Sequence, residues 1–83
     1  MKGFVYILFS LKDNRTYIGS TNNLEKRISE HNAGKVFSTK NRIPMKLIYN
    51  EEYEILKEAR IKEKYYKSCA GRKRLKEILK NKI

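Results

Sequence analysis

Cysteine is almost missing from this chain of 83 residues, where Cys69 stands alone. No internal disulfide can form, and a zinc cluster would lack ligands. A lone thiol suits a reducing compartment, so the expected location is the cytoplasm. No apolar run reaches the roughly 20 residues of a membrane-spanning helix. The start, Met1 to Phe9, is apolar but short and has no small-residue cleavage site, so a strand is expected there and not a signal peptide. Repeats, linkers and low-complexity segments are also missing. Acidic residues are scarce: nine Asp and Glu stand against twenty Lys and Arg, a formal net charge of +11.

The imbalance carries the first functional signal. On one small domain, residues 1–83, such a charge makes a strong positive field and argues for a polyanionic partner, most often nucleic acid. Solubility alone does not need one sign to dominate. A ribosomal or membrane-surface role fits the same number. A chain of this length buries only about 60–65% of the surface that its unfolded form exposes, which leaves room for a single core. The default expectation for so charged a chain is a monomer.

Residues 3 to 10 are expected to form a strand buried on both faces, being aromatic and β-branched without polar alternation. Lys12-Asp13-Asn14-Arg15 makes a turn, and residues 15 to 20 return as the second strand of a hairpin. With Asp13-Asn14 as the central turn pair, Ser10 faces Tyr17, and Tyr6 and Tyr17 lie staggered on one face. Gly19 ends that strand, as a simple turn residue or as a point of close approach. A helix is expected from about Asn22 to Asn32, capped by Asn22 with Glu25 three residues on and stopped at Gly34. Leu24 and Ile28 dock it, and Arg27 and His31 stack one turn apart on the adjacent face. Each has a bland alternative: Arg27 can pair with Glu30, and His31 suits the helix's last turn.

Residues 35 to 44 form a basic polar loop. Its Lys35, Lys40 and Arg42 are candidate phosphate contacts. Residues 45 to 53 are expected as a third strand with Leu47 and Tyr49 alternating against Ile48. A second helix follows from about Glu54 to Lys67, with Ala59, Glu63 and Lys67 on one face and Tyr65 and Tyr66 as packing residues. A third, capped by Ser68, runs from about Cys69 to Asn81. Leu75, Ile78 and Leu79 form its apolar stripe, and Lys67, Arg72, Lys73 and Lys76 add a basic nucleic-acid-binding surface. The fold expected is α/β of the α+β kind: a three-stranded antiparallel sheet flanked by three helices, in the order β-β-α-β-α-α.

Tyr6 on the first strand, Tyr17-Ile18-Gly19 on the second, Arg27 and His31 on the next helix and Glu63 on a later one resemble the GIY-YIG nuclease family. The similarity spans about residues 3 to 80. In its shortness the chain resembles the stand-alone bacterial members related to the excinuclease nuclease domain. The first motif here reads Phe4-Val5-Tyr6, with Gly3 before it. Where many family nucleases carry an asparagine after the glutamate, this chain has Leu75, with Asn81 beyond. The resemblance implies a central first strand and a DNA endonuclease that hydrolyses phosphodiester bonds with one divalent ion, Mg²⁺ or Mn²⁺, in the setting of DNA repair or recombination. It implies catalytic roles for Tyr6, Tyr17, Arg27 and His31, a structural role for Gly19, and metal binding by Glu63.

The chemistry is coherent on physical grounds. Phosphodiester hydrolysis needs an activated water and relief of charge on the phosphoryl oxygens. A tyrosine with a reference pKa near 10 is expected to be lowered by Arg27, by the ion and by the cationic field. Either Tyr6 or Tyr17 then deprotonates water with His31 relaying the proton, while Arg27 contacts the phosphate. One carboxylate is a sparse site, so the ion is expected to bind only with substrate. The alternative from another class is a non-catalytic nucleic-acid-binding module with a nuclease-like fold. Convergence of the five side chains on one pocket separates the two.

Overall fold

A computed structural model describes residues 1–80. It contains β1 (Gly3–Ser10), β2 (Thr16–Thr21), α1 (Leu24–Asn32), β3 (Met45–Tyr53), α2 (Leu56–Lys67) and α3 (Cys69–Leu79). The strands form one antiparallel sheet in the order β2-β1-β3. No helix among the described residues is long and apolar enough to cross a membrane.

β1 is central because it is apolar on both faces. Val5 and Ile7 point to one side, where they join Ala59 and Tyr66 of α2 and Leu75 and Leu79 of α3. Tyr6 and Leu8 point to the other, with Met45 and, from α1, Leu24 and Ile28. Each fully buried aliphatic side chain here contributes about 1.5–3 kcal/mol. Tyr66 belongs to this core at 1% exposure, whereas Tyr65, expected to pack with it, is 40% exposed.

The hairpin register differs from the expected one by two residues. Leu8, not Ser10, faces Tyr17, and Tyr6 faces Gly19. The cause is a four-residue loop, closed where the Ser10 N–H donates to the Arg15 carbonyl at 2.9 Å. Asn14 takes the left-handed backbone there, with φ 58°. A slip of two preserves parity, so Tyr6 and Tyr17 still share a face. In β3 the alternation breaks. The register shifts between Ile7 and Leu8, which pair with Tyr49 and Leu47 and leave Ile48 as the extra residue. Ile48 and Tyr49 therefore both pack on the α2–α3 side, and Leu47 on the other.

The cap of α1 is Asn23, not Asn22, and its Oδ1 accepts the Lys26 N–H at 3.2 Å. Thr21 decides between the two asparagines: its Oγ1 accepts the Asn23 N–H at 3.1 Å and carries the turn one residue further. The expected partnership of Asn22 with Glu25 does not form, because Lys26 holds the third position after the true cap. Helix α2 starts at Leu56, later than expected, with Glu54 and Ile55 before it. Ser68 caps α3 as expected, accepting the Gly71 N–H at 3.2 Å. Gly71 lets α3 cross close to α2, since a Cβ there would stand 1.7 Å from the Tyr65 carbonyl oxygen.

Candidate nuclease centre

The cluster begins at Tyr6. β1 turns this side chain toward α1, and its phenol crosses β2 at Gly19. A Cβ at Gly19 would lie 2.4 Å from the Tyr6 hydroxyl and 2.5 Å from Cζ. A side chain at Gly19 would have to displace the Tyr6 phenol, which fits the close-approach reading of this glycine. On α1, the one-turn spacing of Arg27 and His31 brings both to this phenol. The Tyr6 hydroxyl meets His31 Nε2 at 2.9 Å. The other ring nitrogen, Nδ1, meets Thr39 Oγ1 at 2.6 Å. Tyr17 completes the group, its ring 5.1 Å from the imidazole and 6.5 Å from Tyr6 between centroids.

Proton placement follows from the donors. Arg27 beside Tyr6 offers only N–H groups, so the phenol oxygen accepts on that side. The phenol proton then points to His31 Nε2, and the ring proton sits on Nδ1 and is donated to Thr39. His31 is fully buried. Burial, and secondarily the Arg27 charge, push its pKa down to about 4. The imidazole is neutral at physiological pH.

The Tyr6 pKa is raised, contrary to expectation. Burial dominates, the Arg27 hydrogen bond pulls the other way, and the charges of Tyr17 and Glu63 add to the rise. The Arg27 cation does pull the value down, but burial of a phenol that is 1% exposed outweighs it. Arg27 is itself held more firmly as a cation by Tyr6, and it also pairs with Glu30 at 3.2 Å. The pairing with Glu30 expected from sequence is therefore present, and the same guanidinium also lies beside Tyr6.

Glu63 approaches from the opposite layer. On α2 it accepts a hydrogen bond from the Ser20 hydroxyl, next to Gly19, and pairs with Lys67 at 2.7 Å. The carboxylate stands at the edge strand, near enough for its charge to be felt at Tyr6. Among the described residues, no three His, Cys, Asp or Glu side chains gather as a metal cage.

A sequence model of the GIY-YIG catalytic domain matches residues 2–76. The chain belongs to the GIY-YIG family. Relatives of similar size include a UPF0213 protein of Clostridium perfringens, 45% identical over 76 residues that cover 90% of this chain and 81% of the relative. Another, from Staphylococcus haemolyticus, is 42% identical and covers 93% and 94%. The solution structure of a UPF0213 protein from Bacillus halodurans matches with a TM-score of 0.58 at 30% identity, covering 99% of this chain and 87% of that one.

Within the GIY-YIG frame, the basic candidates divide. Arg42 is engaged in the fold: its Nε pairs with Asp13 Oδ2 at 2.6 Å, and its carbonyl accepts from Ser10 Oγ at 2.6 Å. It locks the loop to the hairpin and is not displayed as a free phosphate contact. Lys67 is tied to Glu63, and Lys40 lies 4.8 Å over the Phe37 ring. Lys35 is exposed. Arg72, Lys73 and Lys76 line a groove between α3 and β2. Asn81 lies outside the described residues.

Two polar partners in the site, Thr39 and Ser20, carry no role readable from sequence, and neither does Glu51 outside it. Thr39 sits in a loop without periodicity, eight residues beyond His31. Ser20 directly follows Gly19, which was the only signal. Glu51, on the α2–α3 side, accepts hydroxyl hydrogen bonds from Tyr49, Tyr53 and Tyr66. These bonds outweigh its burial and lower its pKa. It is a second polar cluster, separate from the first.

Proposed function

We propose that this chain is a metal-dependent endonuclease that hydrolyses phosphodiester bonds in DNA. The observation that carries the reading is the convergence of Tyr6, Tyr17, His31 and Arg27 beside Gly19, with Glu63 reaching the same strand at Ser20.

The donor set suits a hard divalent ion. Glu63 is a single, partly buried carboxylate, and Mg²⁺ commonly binds through one or two carboxylates while keeping waters and taking substrate phosphate oxygens. When bound, Mg²⁺ or Mn²⁺ supplies charge neutralisation at the phosphoryl and leaving oxygens.

The protein's own groups account for the rest. Arg27, flanked by Glu30 and Tyr6, is a fixed cation for a phosphoryl oxygen. Of the two phenols, Tyr6 is the one with a base behind it, so it takes the proton of the attacking water as its own passes to His31 Nε2. Thr39 holds the imidazole in the tautomer that makes Nε2 an acceptor. The raised Tyr6 and lowered His31 values keep both neutral in the free protein. Part of the Tyr6 rise comes from the Glu63 charge, so neutralising that carboxylate removes it. Tyr17, whose hydroxyl meets Ser38 Oγ at 3.4 Å, flanks the pocket and orients the water.

The test is cleavage of plasmid, single-stranded and branched DNA with Mn²⁺, comparing wild type with Glu63→Ala. Cleavage by wild type, lost in the variant while DNA binding persists, is expected. Equal cleavage by both removes Glu63 as the ligand. Salt-dependent binding by both without cleavage favours the non-catalytic binding module.

A further inference from the structure

Two cavities flank the centre along one strand. The larger, of about 820 Å³, is lined by Thr16, Tyr17 and Ile18 of β2 and by one face of α3. Its apolar part is Ile18, Leu75 and Leu79, and its cations include Arg72, Lys73 and Lys76. The smaller, of about 270 Å³, is lined by Ser20 and Thr21 at the other end of β2, by Lys26, Arg27 and Glu30 of α1, and by Arg60 of α2. Gly19, Tyr6 and the Ser20–Glu63 contact stand between them.

β2 is an edge strand, so no neighbouring strand covers its outer side. Among the described residues, Lys26, Arg60, Arg72, Lys73 and Lys76 are in no ion pair. All five are exposed. The acid lining the smaller cavity, Glu30, is already matched by Arg27 at 3.2 Å.

The two cavities differ in chemistry. The smaller is polar and cationic and suits a phosphate alone. The larger combines an apolar floor with a basic rim. A duplex turns phosphates outward and stacks its bases inside, so it would use the rim and leave the floor empty. An unpaired strand offers bases and phosphates together, the combination that single-strand grooves exploit.

We propose that an unpaired nucleic-acid strand lies along the free edge of β2, with its bases on the Ile18–Leu75–Leu79 floor on one side of the reacting phosphate and a flanking phosphate held by Lys26 and Arg60 on the other. This rests on the nuclease reading for the position of the reacting phosphate. It names the form of substrate, and it assigns Lys26 and Arg60 to binding.

The experiment is fluorescence anisotropy in EDTA, where nothing is cleaved. The probes are a single-stranded oligodeoxynucleotide, an abasic strand of equal phosphate number, and a blunt duplex. The single strand is expected to bind at least about fivefold more tightly than either of the others. Arg72→Ala/Lys73→Ala/Lys76→Ala should lower the single-strand salt slope by about 2, at roughly 0.7 for each of three phosphate contacts, and Lys26→Ala/Arg60→Ala, which share one phosphate, by about 0.7. Equal affinity for the abasic strand or the duplex overturns the placement of bases on the floor. An unchanged slope in either variant overturns that half of the path. Binding as expected, with no cleavage by wild type in Mn²⁺, defeats the nuclease reading and leaves the strand path standing.

Discussion

Lowering the pH from 7 to 5 should destabilise this protein by about 2 kcal/mol, and His31 alone should account for it. The imidazole is fully buried between Tyr6 and Thr39. Its folded pKa is about 4, against the usual 6.5. A depressed histidine value means that the unfolded chain takes up the proton first as pH falls. Stability is therefore complete above about pH 6.5, lost progressively below it, and level again below about pH 4. At pH 5 the unfolded imidazole is almost fully charged and the folded one still neutral, which gives about 2 kcal/mol; the full difference gives about 3 kcal/mol. For a domain of this size, 2 kcal/mol lowers Tm by roughly 8–16 °C. Carboxylates, with reference values near 4, contribute mainly below this window. Thermal denaturation between pH 7 and 5 measures the effect, and His31→Gln should flatten it. The chain has one histidine, so a single imidazole resonance reports its pKa directly by NMR. A folded-state value near 6.5, or a Tm constant from pH 7 to 5, would refute the buried Tyr6–His31–Thr39 chain.

Gly19→Ala should cost about 1–3 kcal/mol by overpacking against the Tyr6 hydroxyl, and it should reduce cleavage more than DNA binding; full activity at wild-type Tm would show that the phenol lies elsewhere. Gly71→Ala drives a methyl into the Tyr65 carbonyl and should lower stability by about 3 kcal/mol, read as a fall in the denaturant midpoint; an unchanged midpoint would mean that α3 does not cross α2 there. Glu51→Gln removes the charge that three tyrosine hydroxyls address and should cost about 1.5–3 kcal/mol, with cleavage per folded molecule unchanged; lost activity at retained stability would tie this cluster to the reaction.

The outline of the fold was legible because its strongest signals are local. The unbroken apolar run of β1 marked it as doubly covered, and Ser68 before a basic amphipathic stretch marked the start of α3. The parity that places Tyr6 and Tyr17 together survived a register slip because the slip was even. What failed depended on partners distant in sequence or on choices between equals. Asn22 and Asn23 are both good caps, and only the Thr21 hydroxyl decides. Leu47, Ile48 and Tyr49 are all apolar, so nothing local marks the bulge.

The site was less legible than the fold. Arg27 and His31 announced themselves by helical spacing, and the resemblance linked them to Tyr6. Their electrostatics did not follow, because burial outweighs the neighbouring cation at Tyr6. Thr39 and the Arg42–Asp13 pair are made by a loop that folds back on the hairpin, and no periodicity in residues 35–44 encodes that return.

The most direct test of the account is single-turnover cleavage by Tyr6→Phe beside wild type, with Mn²⁺ at saturating single-stranded DNA. Loss of the phenol acting as the base should slow cleavage by about 10²–10⁴-fold while DNA affinity stays within about twofold, since the hydroxyl is buried and neutral. Cleavage by Tyr6→Phe at the wild-type rate would contradict the assignment of the proton to the Tyr6–His31 pair.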